Sequence, residues 1–141
     1  MTWLLDADVV SQPAKSRGDP RVIAWLENEE QHCYTSSVVI AQLAYWVRTK
    51  QGARREALQK WLRTFVDALE GRILSFNTAT AHVWAEQKFL LEQAGVPMPA
   101  EDSYIAATAR RHGLTIVTGN DRDFRRPGVK VFNPFTELPP E

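Results

Sequence analysis

Trp3-Leu4-Leu5-Asp6-Ala7-Asp8-Val9-Val10 opens the chain with a short apolar run closed by a carboxylate. Such a run reads as a buried strand. The acid that ends it lies where open α/β sheets build their sites, just beyond the carboxyl ends of the strands. A plainer role for Asp6 is to cap the short helix that follows, a task Asp8 can also take. Outward from this strand, short apolar runs alternate with longer helical patterns, the signature of a parallel sheet covered by helices on both faces.

The first helix starts at Asp19-Pro20, with Asp19 as N-cap and Pro20 at the first helical position, and Val22, Ile23, Trp25 and Leu26 form its apolar stripe. A second strand, about Cys33 to Thr35, leads through Ser36-Ser37 into a helix from Val38 to about Lys50. After Gly52 comes a long amphipathic helix with apolar pairs at Ala57-Leu58, Trp61-Leu62 and Phe65-Val66, then Leu69, closed by Gly71. Arg72 to Phe76 reads as a third strand, and Asn77 caps a helix that ends near Gly95. Val96-Pro97-Met98-Pro99 cannot continue a helix. Ala100 to His112 forms the next one, stopped by Gly113, before a fourth strand from Leu114 to Val117 and a fifth from Val129 to Phe132. There is no internal repeat and no linker long enough to divide the chain, so residues 1–141 are expected to form one domain.

Bulk composition narrows the function classes. The chain is 44% hydrophobic and 24% charged, ordinary for a globular protein, and its net charge is zero. A strongly basic, nucleic-acid-coating body is therefore excluded, and any such binding must come from local clusters or from a metal offsetting acidic groups. The single Cys33 forbids an intramolecular disulfide and fits a reducing compartment. No apolar run approaches bilayer-spanning length and no signal-peptide pattern is present, so a cytoplasmic chain without membrane contact is expected.

The chemistry-bearing residues are acids delivered by separate elements. Asp102 heads an apolar helix; the helix dipole alone can explain an acid there, but Glu101 already meets that need. Asp102 stands three and four residues before Ile105 and Ala106, on the side expected to be buried, where an unpaired carboxylate is costly unless it is paired or binds a metal. Asn120, Asp121 and Asp123 follow the fourth strand in Thr118-Gly119-Asn120-Asp121-Arg122-Asp123-Phe124, more oxygen-bearing side chains than a capping turn requires. With Asp6 they suggest an oxygen site for a hard cation, Mg²⁺ or Mn²⁺. The histidines lack zinc-ligand spacing, Cys33 has no base motif beside it, Ser36-Ser37 is no nucleophile elbow, and no Gly-rich phosphate loop occurs. Arg110-Arg111 and Arg125-Arg126 flank the acids and are candidates for holding phosphates.

Those motifs resemble PIN-domain proteins, above all the VapC toxins and their FitB-like branch, over nearly the whole chain. The opening Leu4-Leu5-Asp6-Ala7-Asp8-Val9-Val10-Ser11, the segment Ser36 to Leu43, the run Asp102 to Ala109, the segment Val117 to Phe124 and the ending Val131-Phe132-Asn133-Pro134 carry the likeness in order. The resemblance implies an α/β/α sandwich around a mainly parallel sheet of four or five strands. It also implies Mg²⁺-dependent cleavage of RNA, with Mn²⁺ as a substitute, and a homodimer silenced by a cognate antitoxin that itself binds DNA. Carried over residue by residue, it makes Asp6, Asp102 and Asp123 the metal ligands and adds Gln42 and Asn120 to the site. Gln42 stands where the family usually has glutamate, and Ala7 where it often has threonine, so weakened activity is expected. The competing expectations are a catalytically silent PIN domain that binds antitoxin or RNA and, further off, a phosphatase on a similar sheet.

Overall fold

Five short strands, Trp3–Leu5 (β1), Cys33–Ser36 (β2), Ile73–Leu74 (β3), Thr115–Val117 (β4) and Val131–Phe132 (β5), pair into one sheet of order β3-β2-β1-β4-β5. Every pairing is parallel, with Leu4 opposite Tyr34 on one side and Ile116 on the other. The structure is a computed structural model and describes residues 1–140. Seven helices flank the sheet: Ala7–Val10 (α1), Pro20–Glu29 (α2), Ser37–Arg48 (α3), Gly52–Ala68 (α4), Thr78–Gln93 (α5), Ala100–His112 (α6) and Asp121–Phe124 (α7).

Local chemistry sets most of these boundaries. Asp19 accepts from the Arg21 N–H and Pro20 supplies the first helical residue of α2. Ser36 Oγ caps α3 through the Val39 N–H, and Asn77 Oδ1 caps α5 through the Thr80 N–H. Gly113 closes α6 with φ +67°, a left-handed turn that a Cβ would strain. The edge strands are shorter than the apolar runs suggest, β3 holding two of the five expected residues and β5 two of four. Each pairs on one side only, so the outer residues of the run find no second ladder.

The core is one cluster built on β1 and β4. Leu4, Val9, Val39, Ile105, Ala106, Ile116 and Phe124 are completely buried within it. Alanines at 106, 107 and 109 let α6 lie close against its neighbours. At one edge Trp3 meets Trp25 edge-on at 5.2 Å and Phe132 at 5.5 Å, joining β1, α2 and β5. The strand order determines where a site can form. The chain leaves β1 toward β2 and β3, then crosses to the other side of the sheet for β4 and β5. The connections after β1 and β4 therefore diverge, opening a crevice at their carboxyl ends.

Candidate functional site

Asp6 closes β1 at the mouth of that crevice and is 7% exposed. Its Oδ1 accepts from the Ala7 N–H at 2.9 Å and its Oδ2 from the Thr118 hydroxyl at 2.8 Å. One oxygen caps α1, as the plainer expectation has it, and the other is oriented by the end of β4. Burial pushes the carboxyl above its ordinary range, with both hydrogen bonds pulling the other way. Thr118 Oγ1 in turn accepts from the Asn120 N–H at 2.9 Å, so a single hydroxyl ties Asp6 to the turn before α7.

Asp8 corrects one expectation. It is not a cap; its Oδ2 accepts from the Gly119 N–H at 2.9 Å, and its Oδ1 is buried without a partner among the described residues. Burial and the neighbouring Asp6 carboxylate raise the Asp8 carboxyl to about 6. Asp102 enters from the first turn of α6, half-buried, and is likewise raised to about 6, by burial and then by Asp6, Asp123, Glu101 and Asp8. Asp6, Asp8, Gln42, Glu101, Asp102 and Asn120 line one cleft of about 890 Å³. Tyr45 and Tyr104 form part of its wall.

Gln42 reaches this cleft from α3 and donates its amide Nε2–H to Glu101 Oε1 at 2.8 Å. Asn120 lines the cleft, while Asp123 sits behind it, accepting from Asn120 Nδ2 at 3.1 Å. Asp121 stands apart: both its oxygens are engaged, by Arg125 and by Asn133, and these contacts hold its carboxyl below the ordinary range. Of the arginines expected to hold phosphates, Arg125 and Arg126 are engaged within the fold. Arg125 pairs with Asp121 and Glu137, and Arg126 donates to the carbonyls of Val96, Pro97, Arg122 and Arg125. Cys33 is a buried core thiol, its pKa pushed up to about 12 chiefly by burial. Thr118, Asp8 and Glu101 were not singled out as site residues from sequence, because their roles are defined by partners far away in the chain.

The cleft contains carboxylates, amides and hydroxyls but no lysine or arginine, and none of the three ion pairs among the described residues involves a cleft acid. The carboxyls of Asp6, Asp8 and Asp102 are raised by burial first, and those of Asp8 and Asp102 then by neighbouring carboxylates. Among the described residues no group of three or more Asp, Glu, His or Cys side chains is gathered closely enough to hold a metal ion. The carboxylates, amides and hydroxyls that line the cleft are the donor types a hard cation takes.

A parallel sheet of this order, with acids converging on the carboxyl ends of β1 and β4, defines a class of α/β proteins with an acidic cleft at the switch point of the sheet. Within that class the comparison with known proteins is specific. A family model described as "PIN domain" matches residues 3–130, and the chain belongs to the PIN domain family. It is similar to the toxin FitB of Neisseria gonorrhoeae, 33% identical over 135 residues that cover 94% of this chain and 97% of that protein. It is also 30% identical, over 94% of its length and 96% of the relative's, to the VapC ribonuclease Y4jK of Sinorhizobium fredii. Among solved structures, FitAB bound to an IR36 DNA fragment contains a chain that superposes with a TM-score of 0.91 at 30% identity, covering 97% of this chain and 98% of that one.

Proposed function

We propose that this chain is a metal-dependent endoribonuclease, the toxin of a toxin–antitoxin pair, acting as a single domain of residues 1–141 and in the cytoplasm. The observation that carries the reading is the group of unpaired carboxylates, Asp6 and Asp102 foremost, lining one cleft at the carboxyl end of the sheet. The names of the relatives, a toxin and a ribonuclease, support it. No helix among the described residues is long and apolar enough to cross a membrane.

Asp6 and Asp102 would hold Mg²⁺, or Mn²⁺ in its place, with Asp123 completing the charge from behind Asn120. When bound, the cation supplies an activated water and charge stabilisation for an in-line phosphodiester displacement. Thr118 Oγ1 donates to Asp6 Oδ2 and so holds the orientation of the carboxylate. Gln42 fills its position imperfectly. Its amide nitrogen cannot coordinate a metal and is held by Glu101, which brings a carboxylate to that wall of the cleft. With Arg125 and Arg126 already engaged, positioning of the RNA backbone falls to the cation and to the polar wall of the cleft.

The cognate antitoxin is expected on the aromatic edge of α3 and α4. Tyr45 is 74% exposed, and Trp46, Trp61 and Phe65 remain half-buried in a chain of ring contacts 6.1–6.2 Å apart. A surface of this kind suits an amphipathic segment of a partner protein. DNA would be met only through that partner, and the chain itself is expected to form a homodimer. The test is incubation of antitoxin-free protein with a total RNA pool in Mg²⁺, in Mn²⁺ and with chelator. Cleavage that needs the metal is expected. A folded chain that binds antitoxin but cuts nothing with either ion would make this a silent binding module instead.

A further inference from the structure

The turn that carries Asn120 and Asp123 leads into a four-residue helix, α7, too short to hold its own shape. Its support comes from the chain's C-terminal segment. Asn133, 4% exposed, donates from Nδ2 to Asp121 Oδ1 at 3.2 Å and to the Gly119 carbonyl at 3.5 Å, and accepts at Oδ1 from the Phe135 N–H at 2.9 Å. Its own N–H donates to Glu137 Oε1 at 3.0 Å, and that oxygen also accepts from Arg125 Nη2. Arg125 Nε donates to Asp121 Oδ2 at 3.1 Å, which closes a ring through Asn133, Glu137, Arg125 and Asp121.

A second contact presses on the same turn. A Cβ added to Gly119 would lie 2.8 Å from the Phe135 ring and 2.8 Å from Asp8 Oδ2. Gly119 is therefore held between the C-terminal segment on one side and a cleft acid on the other. None of the four ring residues lines the cleft itself, so whatever they do for the site they do through Asn120 and Asp123.

We infer that the segment Asn133–Glu137 is a positioning clasp, with Asn133 at its centre, that fixes the turn by which Asn120 reaches the cation site with Asp123 behind it. The inference rests on the reading of the cleft as a cation site. It assigns Asp121, despite its place among the acids, to the clasp and not to the metal. Groups that orient metal ligands from behind change metal affinity by roughly tenfold or more when removed.

The experiment is titration of the full, partner-free chain with Mn²⁺ alone, followed calorimetrically, with circular dichroism confirming that each variant is folded at the working temperature. Asn133→Asp places a carboxylate against Asp121 and opens the ring; roughly tenfold weaker binding is expected. Glu137→Ala, at a partly exposed residue, should give a smaller loss. The exchange Asn133→Asp with Asp121→Asn rebuilds the ring with its hydrogen bond reversed, though without the long contact to the Gly119 carbonyl, and should recover part of the affinity, which a merely destabilising change would not. Wild-type affinity in folded Asn133→Asp overturns the clasp, and so does wild-type affinity in Glu137→Ala if Asn133→Asp does not fold. Failure of the wild-type chain to bind Mn²⁺ overturns the cation reading and the clasp with it.

Discussion

Replacing Asp102 by asparagine should make the metal-free protein more stable while it cripples the site. On folding, the Asp102 carboxyl moves from its ordinary 3.8 to about 6, through burial and the nearby carboxylates. At about 1.36 kcal/mol per pH unit, that interval is a ceiling of about 3 kcal/mol against the folded state once the group is ionised. The side chain is only half-buried, and solvent screening brings the figure to about 1.5 kcal/mol. An acid in the first turn of α6 also gains from the helix dipole, so its loss takes back about 0.5 kcal/mol. About 1 kcal/mol remains, or about 3–5 °C in the melting temperature of a chain of this length. The sign follows from the raised pKa. Below 3.8 both states carry the proton and nothing is lost; the cost grows as pH rises through about 6 and is complete above it. Melting in chelator should therefore show Asp102→Asn above wild type near neutral pH and level with it near about pH 4. Adding Mn²⁺ should reverse the order, because only the wild type gains fully from binding. A variant that melts below wild type in chelator at neutral pH, or an offset independent of pH, would refute the account of this cleft as strained by unpaired charge.

Gln42→Glu places a carboxylate where an amide now donates to Glu101 at 2.8 Å. Metal-free stability should fall by roughly 1 kcal/mol, at the edge of the solvent-screened range for such a pair, while Mn²⁺ affinity and cleavage rate both rise; calorimetry and a cleavage time course decide it, and no change in either would place residue 42 outside the site. Thr118→Val keeps the shape but removes the hydroxyl that Asp6 Oδ2 and the Asn120 N–H share. It should cost roughly 1–3 kcal/mol and weaken Mn²⁺ binding, with Thr118→Ser close to wild type in thermal melts and titrations. Gly119→Ala forces a methyl to within 2.8 Å of Asp8 Oδ2 and the Phe135 ring. Its melting curve should report a loss of about 1–3 kcal/mol.

The architecture was legible in the sequence wherever a boundary has local chemistry. Asp19-Pro20, Ser36, Asn77 and Gly113 each mark a helix end by a side chain or a backbone angle that needs no distant partner. Asp6 could be singled out because a strand ends there, and the strand order then supplies the crevice. What stayed hidden is long-range. Asp8 reads as a cap, yet its partner Gly119 lies 111 residues away. Nothing local pairs Gln42 with Glu101, 59 positions apart. Arg125 and Arg126 look like phosphate ligands until the carbonyls and carboxylates that occupy them are seen. Asp121 cannot be told from Asp123 by composition, and Arg125 together with Asn133, which follows β5, separates their roles.

The central claim is that Asp6 and Asp102 share one cation in the cleft, and it can be observed directly. Crystals of the chain grown with Mn²⁺, with data collected for anomalous scattering from manganese, should show a peak bonded by both carboxylates and missing in Asp102→Asn. A well-ordered cleft with no manganese between Asp6 and Asp102, or a peak held by other residues, would contradict the account.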